Sequence, residues 1–206
     1  MQIIMKRIFL FSAAILMMAS AASASMPYKP GDVADDFTLK NVSGSEVSLS
    51  AIPNAKGFIV VFMCNTCPVV KAYEDRIIDL NKKYSAKGYP VVAINANDRS
   101  VSPGDSYAEM QKMAMEKGFK FQYLYDESQE VARKYGATNT PHVYVLEKEG
   151  NDLKVKYVGA IDNNSDNASS ADKKYVEDAV NALLKDDAVP VASTKAIGCS
   201  IKWKKM

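Results

Sequence analysis

Between Gly57 and Met63 the chain reads GFIVVFM, seven residues without a polar side chain, as expected of a central strand buried on both faces. Ahead of it, Asp36–Leu39 and Glu46–Leu49 alternate apolar and polar positions around Ser43-Gly44, which predicts a β-hairpin. After it, Val69, Val70, Tyr73, Ile77, Leu80 and Tyr84 recur at helical spacing up to Lys87-Gly88. Pro68 suits the first turn of that helix, because its missing N–H would be unpaired there anyway. Pro90–Ala96 (PVVAINA) predicts a second buried strand, Ser106–Lys117 a second helix, Phe121–Tyr125 a short strand, and Glu127–Tyr135 a third helix stopped by Gly136. Pro141–Glu147 and Leu153–Gly159 then form two strands around a polar turn, an antiparallel hairpin. A last helix is expected over Asp172–Lys185 with Asp172 as its cap, and the segment to Met206 has no clear period. Strands alternating with helices predict the α/β class, a central mixed β-sheet flanked by helices with an N-terminal β-hairpin extension.

The first residues change the picture of where this fold begins. Lys6-Arg7, an apolar run from Ile8 to Ala19 and small residues ending Ala22-Ser23-Ala24 make the three-part pattern of a secretory signal. The run is too short for a bilayer span, so cleavage after Ala24 is expected and the mature form carries no stable membrane span. Loss of residues 1–24 removes two basic residues and no acid, which takes the formal charge from +2 to zero. Nothing in that balance calls for nucleic acid; Lys202, Lys204 and Lys205 around Trp203 read as a solvated tail. The organisation expected is a signal peptide over 1–24, one domain over 25–185, and a C-terminal tail over 186–206. Localisation follows as secreted across the inner membrane, periplasmic or otherwise extracytoplasmic.

Three cysteines are too few, and odd in number, for a disulfide-stapled secreted scaffold, so each needs its own explanation. Cys64 and Cys67 lie in FMCNTCPVVK, where the buried strand runs into a helix. Backbone N–H groups at a helix N-terminus stabilise negative charge, so a thiol placed there ionises more readily and becomes a nucleophile. C-x-x-C spacing lets a second thiol resolve a mixed disulfide. The bland alternatives are a buried structural pair, or zinc, for which the chain offers only Cys199 and His142 beyond this pair; no metal and no other cofactor is expected. The loop Asp162–Ser170 fails as a calcium loop, since Asn167 stands where glycine is needed and Lys173 where a carboxylate is needed, leaving a solvated loop. Thr140-Pro141 opens a strand, where proline's missing donor is harmless, and a cis bond there would present the Thr140 backbone to an extended peptide.

The order hairpin, strand, cysteine motif, helix, two β/α units, T-P, hairpin and helix resembles the thioredoxin fold as elaborated in the redoxin and peroxiredoxin-like (AhpC/TSA-related) families, over roughly Pro27 to Lys185. VFMCNTCPVVKAYEDR, VVAINANDRSVSPGDSYAEM, FQYLYDESQEVARKYGATNTP, YVGAIDNN and GCSIKWKK, in that order, are similar to an uncharacterised peroxiredoxin-like branch. In thioredoxins the nucleophile follows a strand phenylalanine by five positions, which by resemblance makes Cys67 the attacking thiolate, with Val70 where a downstream partner would stand. Cys64 is then the first-choice resolving partner, reached by a sharp turn at Asn65-Thr66, and Cys199 a possible resolving thiol if the tail folds over the site. Thr140, Pro141 and Thr66 are implied substrate-binding residues.

The resemblance implies an extracytoplasmic thiol-disulfide oxidoreductase acting on a protein or small-molecule thiol or disulfide. The alternatives are a peroxiredoxin-like thiol peroxidase and a non-catalytic thioredoxin-fold binding module. The peroxidatic P-x-x-x-T/S-x-x-C pattern is not met, since Val60 and Cys64 fill its proline and hydroxyl positions; Thr66 and Arg133 would have to substitute in stabilising a leaving oxygen. Thr66 also stands where the branch usually has histidine, and the single imidazole, His142 beside Pro141, is either a neighbour of the site or, as a lone histidine on a strand more often is, structural.

Overall fold

A computed structural model describes residues 26–205; the expected signal peptide lies outside the described residues. The strands are β1 (Val33–Ala34), β2 (Thr38–Asn41), β3 (Glu46–Ser48), β4 (Gly57–Phe62), β5 (Val91–Asn95), β6 (Gln122–Tyr125), β7 (Asn139–Thr140), β8 (His142–Glu149), β9 (Asp152–Gly159) and β10 (Cys199–Ser200). The helices are α1 (Pro68–Tyr84), α2 (Tyr107–Lys117), α3 (Glu130–Tyr135) and α4 (Tyr175–Leu183). Among the described residues, eight strands make one mixed sheet in the order β1-β9-β8-β4-β5-β6-β2-β3, and β10 pairs with β7 in a separate ladder.

Every residue of β4 and β5 is buried, because helices and loops cover both faces of the sheet centre. On one face lie Ile59, Val61 and Val143 with α1 and α4; on the other lie Phe58, Val60, Phe62 and Tyr144. α1 buries Val70, Tyr73, Ile77, Leu80 and Tyr84, the stripe its spacing predicts. β4, β5 and β6 run parallel, whereas β8 runs antiparallel to β4 with His142 opposite Phe62. The C-terminal ends of β4 and β5 and the start of β8 therefore meet at one edge of the molecule, where parallel sheets place their sites.

Several expectations are corrected by packing. α3 begins at Glu130, not Glu127, because Gln129 adopts φ 64° and the Asp126 carboxylate accepts from the Ala132 N–H. α4 begins at Tyr175 and is not capped by Asp172, whose carboxylate accepts from Asn163 Nδ2 instead. The 162–170 loop is not merely solvated: Asp162 is buried, accepts from the Tyr73 hydroxyl at 2.8 Å and pairs with Arg76 at 2.6 Å. Nor is the C-terminal segment a solvated tail. Ile201 is buried against the second core face, and Trp203 packs there under the Arg133 guanidinium, 4.4 Å from its ring.

Candidate functional site

Cys67 is the N-cap residue of α1, with Pro68 in the first turn and no acidic side chain there to oppose a thiolate. Its side chain is 2% exposed and is joined by a disulfide to Cys199, 132 positions away, with the two Cα atoms 5.9 Å apart. That separation is ordinary for a disulfide. The pairing corrects the expectation that Cys64 would be the first partner of Cys67. Cys64 is left as a free, buried thiol, because Cys199 is delivered across Cys67 by β10, whose Cys199 stands opposite Thr140 and Ser200 opposite Asn139.

The Thr140-Pro141 bond is cis, and all three sulfurs converge on Thr140. Cys67 Sγ lies 3.3 Å from the Thr140 carbonyl oxygen, the position in which a reduced thiol would donate to it. Cys64 Sγ lies 3.2 Å from the Thr140 hydroxyl, which itself donates to the Cys199 carbonyl at 3.4 Å. A hydroxyl has one proton to give, so Cys64 must be the donor to it, and hence a neutral thiol. Burial, followed by the nearby Asp105 charge, pushes the Cys64 thiol up in agreement. Both cysteines of the C-x-x-C are buried in the same core face, Cys67 bridged at the head of α1 and Cys64 free ahead of it.

The turn between them is built by a residue that sequence reasoning missed. Asp105 has no exposed surface. Its carboxylate accepts from the Asn65 N–H at 2.6 Å, the Thr66 N–H at 3.1 Å and the Thr66 hydroxyl at 2.7 Å. It also accepts from the Ser102 hydroxyl at 2.6 Å and Asn97 Nδ2 at 2.8 Å. Asn65 is held further by donating to the Gly104 carbonyl and by accepting from the buried Tyr123 hydroxyl. A signal existed: β5 lies parallel to β4, so the polar run NANDRSVSPGDS after β5 must descend beside CNTC.

Thr66 is therefore committed to Asp105, and Arg133 to Trp203, so neither stands free at the sulfur. His142 is also placed away from it. Strand alternation puts His142 on the face of Phe62 and Tyr144, its ring 4.9 Å from that of Tyr144, while Cys64 and Cys67 belong to the opposite core face. Burial lowers the His142 pKa to about 4, and its Nδ1 has no partner. Among the described residues no group of three or more His, Cys, Asp and Glu is arranged to hold a metal ion, and no helix is long and apolar enough to cross a membrane.

A family model described as AhpC/TSA family matches residues 30–157. The chain is similar to a structure titled as an uncharacterized conserved protein from Geobacillus kaustophilus, with 39% identity and a TM-score of 0.79 over 86% of this chain and 93% of that one. A putative thiol:disulfide interchange protein from Chlorobium tepidum shares the thioredoxin-like fold, at 23% identity and a TM-score of 0.57 over 77% of this chain and 99% of that one. Among curated proteins, the thiol-disulfide oxidoreductase ResA of Bacillus thuringiensis (strain Al Hakam) is 22% identical over 120 residues, 58% of this chain. The chain spans 65% of the length of that relative.

Proposed function

This chain belongs to the AhpC/TSA family, and from that premise we propose that it is a thiol-disulfide oxidoreductase whose redox pair is Cys67 and Cys199. The observation that carries the reading is the bridge between a cysteine at the start of α1 and a cysteine paired with the Thr140 backbone. In the reduced form the N–H dipoles at the start of α1 favour the Cys67 thiolate. That thiolate attacks one sulfur of a partner disulfide, forming a mixed disulfide and releasing the other sulfur, which takes up a proton. Cys199, deprotonated, then attacks the Cys67 sulfur, restoring the internal bridge and releasing the partner as a dithiol. Two electrons pass from the protein to the partner; run backwards, the same steps oxidise a dithiol.

Cys64 supports this cycle by donating to Thr140 and has no nucleophilic part in it, since burial keeps it protonated. The leader pattern of residues 1–24 supports an extracytoplasmic setting. Two experiments test the assignment. Peptide mapping without reduction is expected to recover a Cys67–Cys199 crosslink, with Cys64 alkylated only after denaturation. Cys67→Ser should abolish reduction or oxidation of a test disulfide; turnover at the parent rate would rule the reading out.

A thiol peroxidase is the second reading, favoured by the same bridge, because a Cys67 sulfenic acid condensing with the Cys199 thiol loses water to give that disulfide. It is weakened by the engagement of Thr66 and Arg133 elsewhere. Stopped-flow addition of hydrogen peroxide to the reduced protein decides it: oxidation no faster than that of free cysteine excludes peroxidase chemistry.

A further inference from the structure

The segment that brings Cys199 to Cys67 is bonded along its length as a bound peptide would be. β10 runs antiparallel to β7. Asn139 Nδ2 donates to the Gly198 carbonyl at 3.0 Å, and the Ile201 N–H donates to the Thr138 carbonyl at 3.0 Å. Further on, the Asp98 N–H donates to the Lys202 carbonyl, and the Lys202 N–H donates to Asn97 Oδ1, each at 2.8 Å. Main-chain bonds of this kind hold any extended chain; selectivity falls to the side chains between them.

Two positions select. A Cβ on Gly198 would sit 2.0 Å from the Thr140 carbonyl oxygen and 2.6 Å from its carbon, both backbone atoms that no rotamer can move aside. Residue 201 enters a closed apolar site, since Ile201 is 3% exposed and packs in the core face that includes Phe62, Ala96 and Ala137. A strap serving only to tie down the chain terminus needs neither a cysteine over the helix N-terminus nor a residue without a side chain beside it.

We propose that residues 198–203 are an internal stand-in for the polypeptide partner. The partner is then an extended segment reading Gly, Cys, any residue, large apolar, which docks along Thr138–Thr140 once the strap has lifted. This rests on the oxidoreductase reading above and adds the partner's chemistry to it. Internal bridge and partner compete for one track. The partner's cysteine sulfur takes the place of Cys199 in the bond to Cys67, and the later attack of Cys199 on Cys67 reseats the strap as the partner, now a thiol, is expelled. Bond count and electrons are those of the two-step exchange already given.

The test uses the full chain carrying Cys199→Ser, reduced, so that Cys67 awaits an external disulfide with the strap still present. Three probes are compared by their rate of mixed-disulfide formation with Cys67: 2,2′-dithiodipyridine, and thiopyridyl-activated peptides of sequence GCSIKW and ACSIKW. The Gly peptide should react about tenfold faster than the Ala peptide, the effect expected of a methyl group forced onto fixed backbone. Adding Gly198→Ala should unseat the strap and raise the rate of the Gly peptide by a similar factor. Equal rates for the two peptides, while the small probe reacts readily, would overturn the proposal and leave the oxidoreductase reading standing. Failure of all three probes to react, in this variant and again in the one with Gly198→Ala added, would overturn both. If the double variant does not fold, the peptide ranking in the single variant still decides.

Discussion

Replacing Asp105 by alanine should destabilise the fold by several kcal/mol without altering any sulfur. Its carboxylate is the acceptor for five donors. The Thr66 and Ser102 hydroxyls lie close enough to the surface to turn toward water, and the Thr66 N–H is on an exposed residue. The Asn97 amide is 3% exposed and the Asn65 N–H is half-buried, so both are stranded. At about 1–3 kcal/mol for each stranded donor, the loss is about 4 kcal/mol. With a urea slope of about 2 kcal/mol per molar, the midpoint should fall by about 2 M. Asp105→Asn should cost about half as much. It keeps one acceptor oxygen but presents an NH2 to Asn97 Nδ2, and flipping Asn97 to relieve that clash gives up its bond from the Lys202 N–H. The assay is urea unfolding of the oxidised protein followed by far-UV circular dichroism, with the Cys67–Cys199 bridge intact so that reduction does not enter the transition. A midpoint shift below about 0.3 M for Asp105→Ala would refute the reasoning, since it would mean that the stranded donors find other partners at little cost.

Three further outcomes are expected. Arg76→Met leaves the buried Asp162 carboxylate without its countercharge and should cost about 3–5 kcal/mol, whereas adding Asp162→Asn, which removes the charge and keeps an acceptor for the Tyr73 hydroxyl and the Asn164 N–H, should recover much of it; a double variant no more stable than the single one contradicts this. His142 titrates near 4 in the fold and near 6.5 when unfolded, so between those values the unfolded chain binds the extra proton. Its stabilising contribution is therefore complete above pH 6.5 and is lost as pH falls toward 4, by about 3 kcal/mol in total. His142→Leu should flatten that part of the urea-midpoint profile, and an unchanged slope would show that other groups carry it. Finally, Trp203 is the sole tryptophan and packs beneath Arg133, so reducing the Cys67–Cys199 bridge should shift its emission to the red and raise quenching by iodide. No change in either would mean that the strap stays seated without its disulfide.

Much of the architecture was legible from periodicity because those signals are local. GFIVVFM had to be a buried central strand, the stripe Val70–Tyr84 had to lie on it, and a cysteine before Pro68 had to stand at a helix N-terminus. The α/β order follows from the same runs, whereas the family is signalled by motif resemblance and is shown by the match over residues 30–157. The preference for Cys67 over Cys64 comes from the family resemblance, and the structure places Cys67 at the N-cap of α1 with Cys64 ahead of it.

What only the tertiary structure decided are the contacts between segments far apart in sequence, where no local period carries information. Asp105 looks like a turn residue until the parallel pairing of β4 and β5 sets it under Asn65 and Thr66. GCSIKW looks like a polar tail because its anchoring is carried by backbone hydrogen bonds to Thr138, Thr140 and Asn97, which any sequence could make, and by two side-chain positions too few to show a pattern. The chain alone determined that a cysteine stands at the head of α1. Which sulfur closes on it was settled by where β7 leaves a free edge for the end of the chain to occupy.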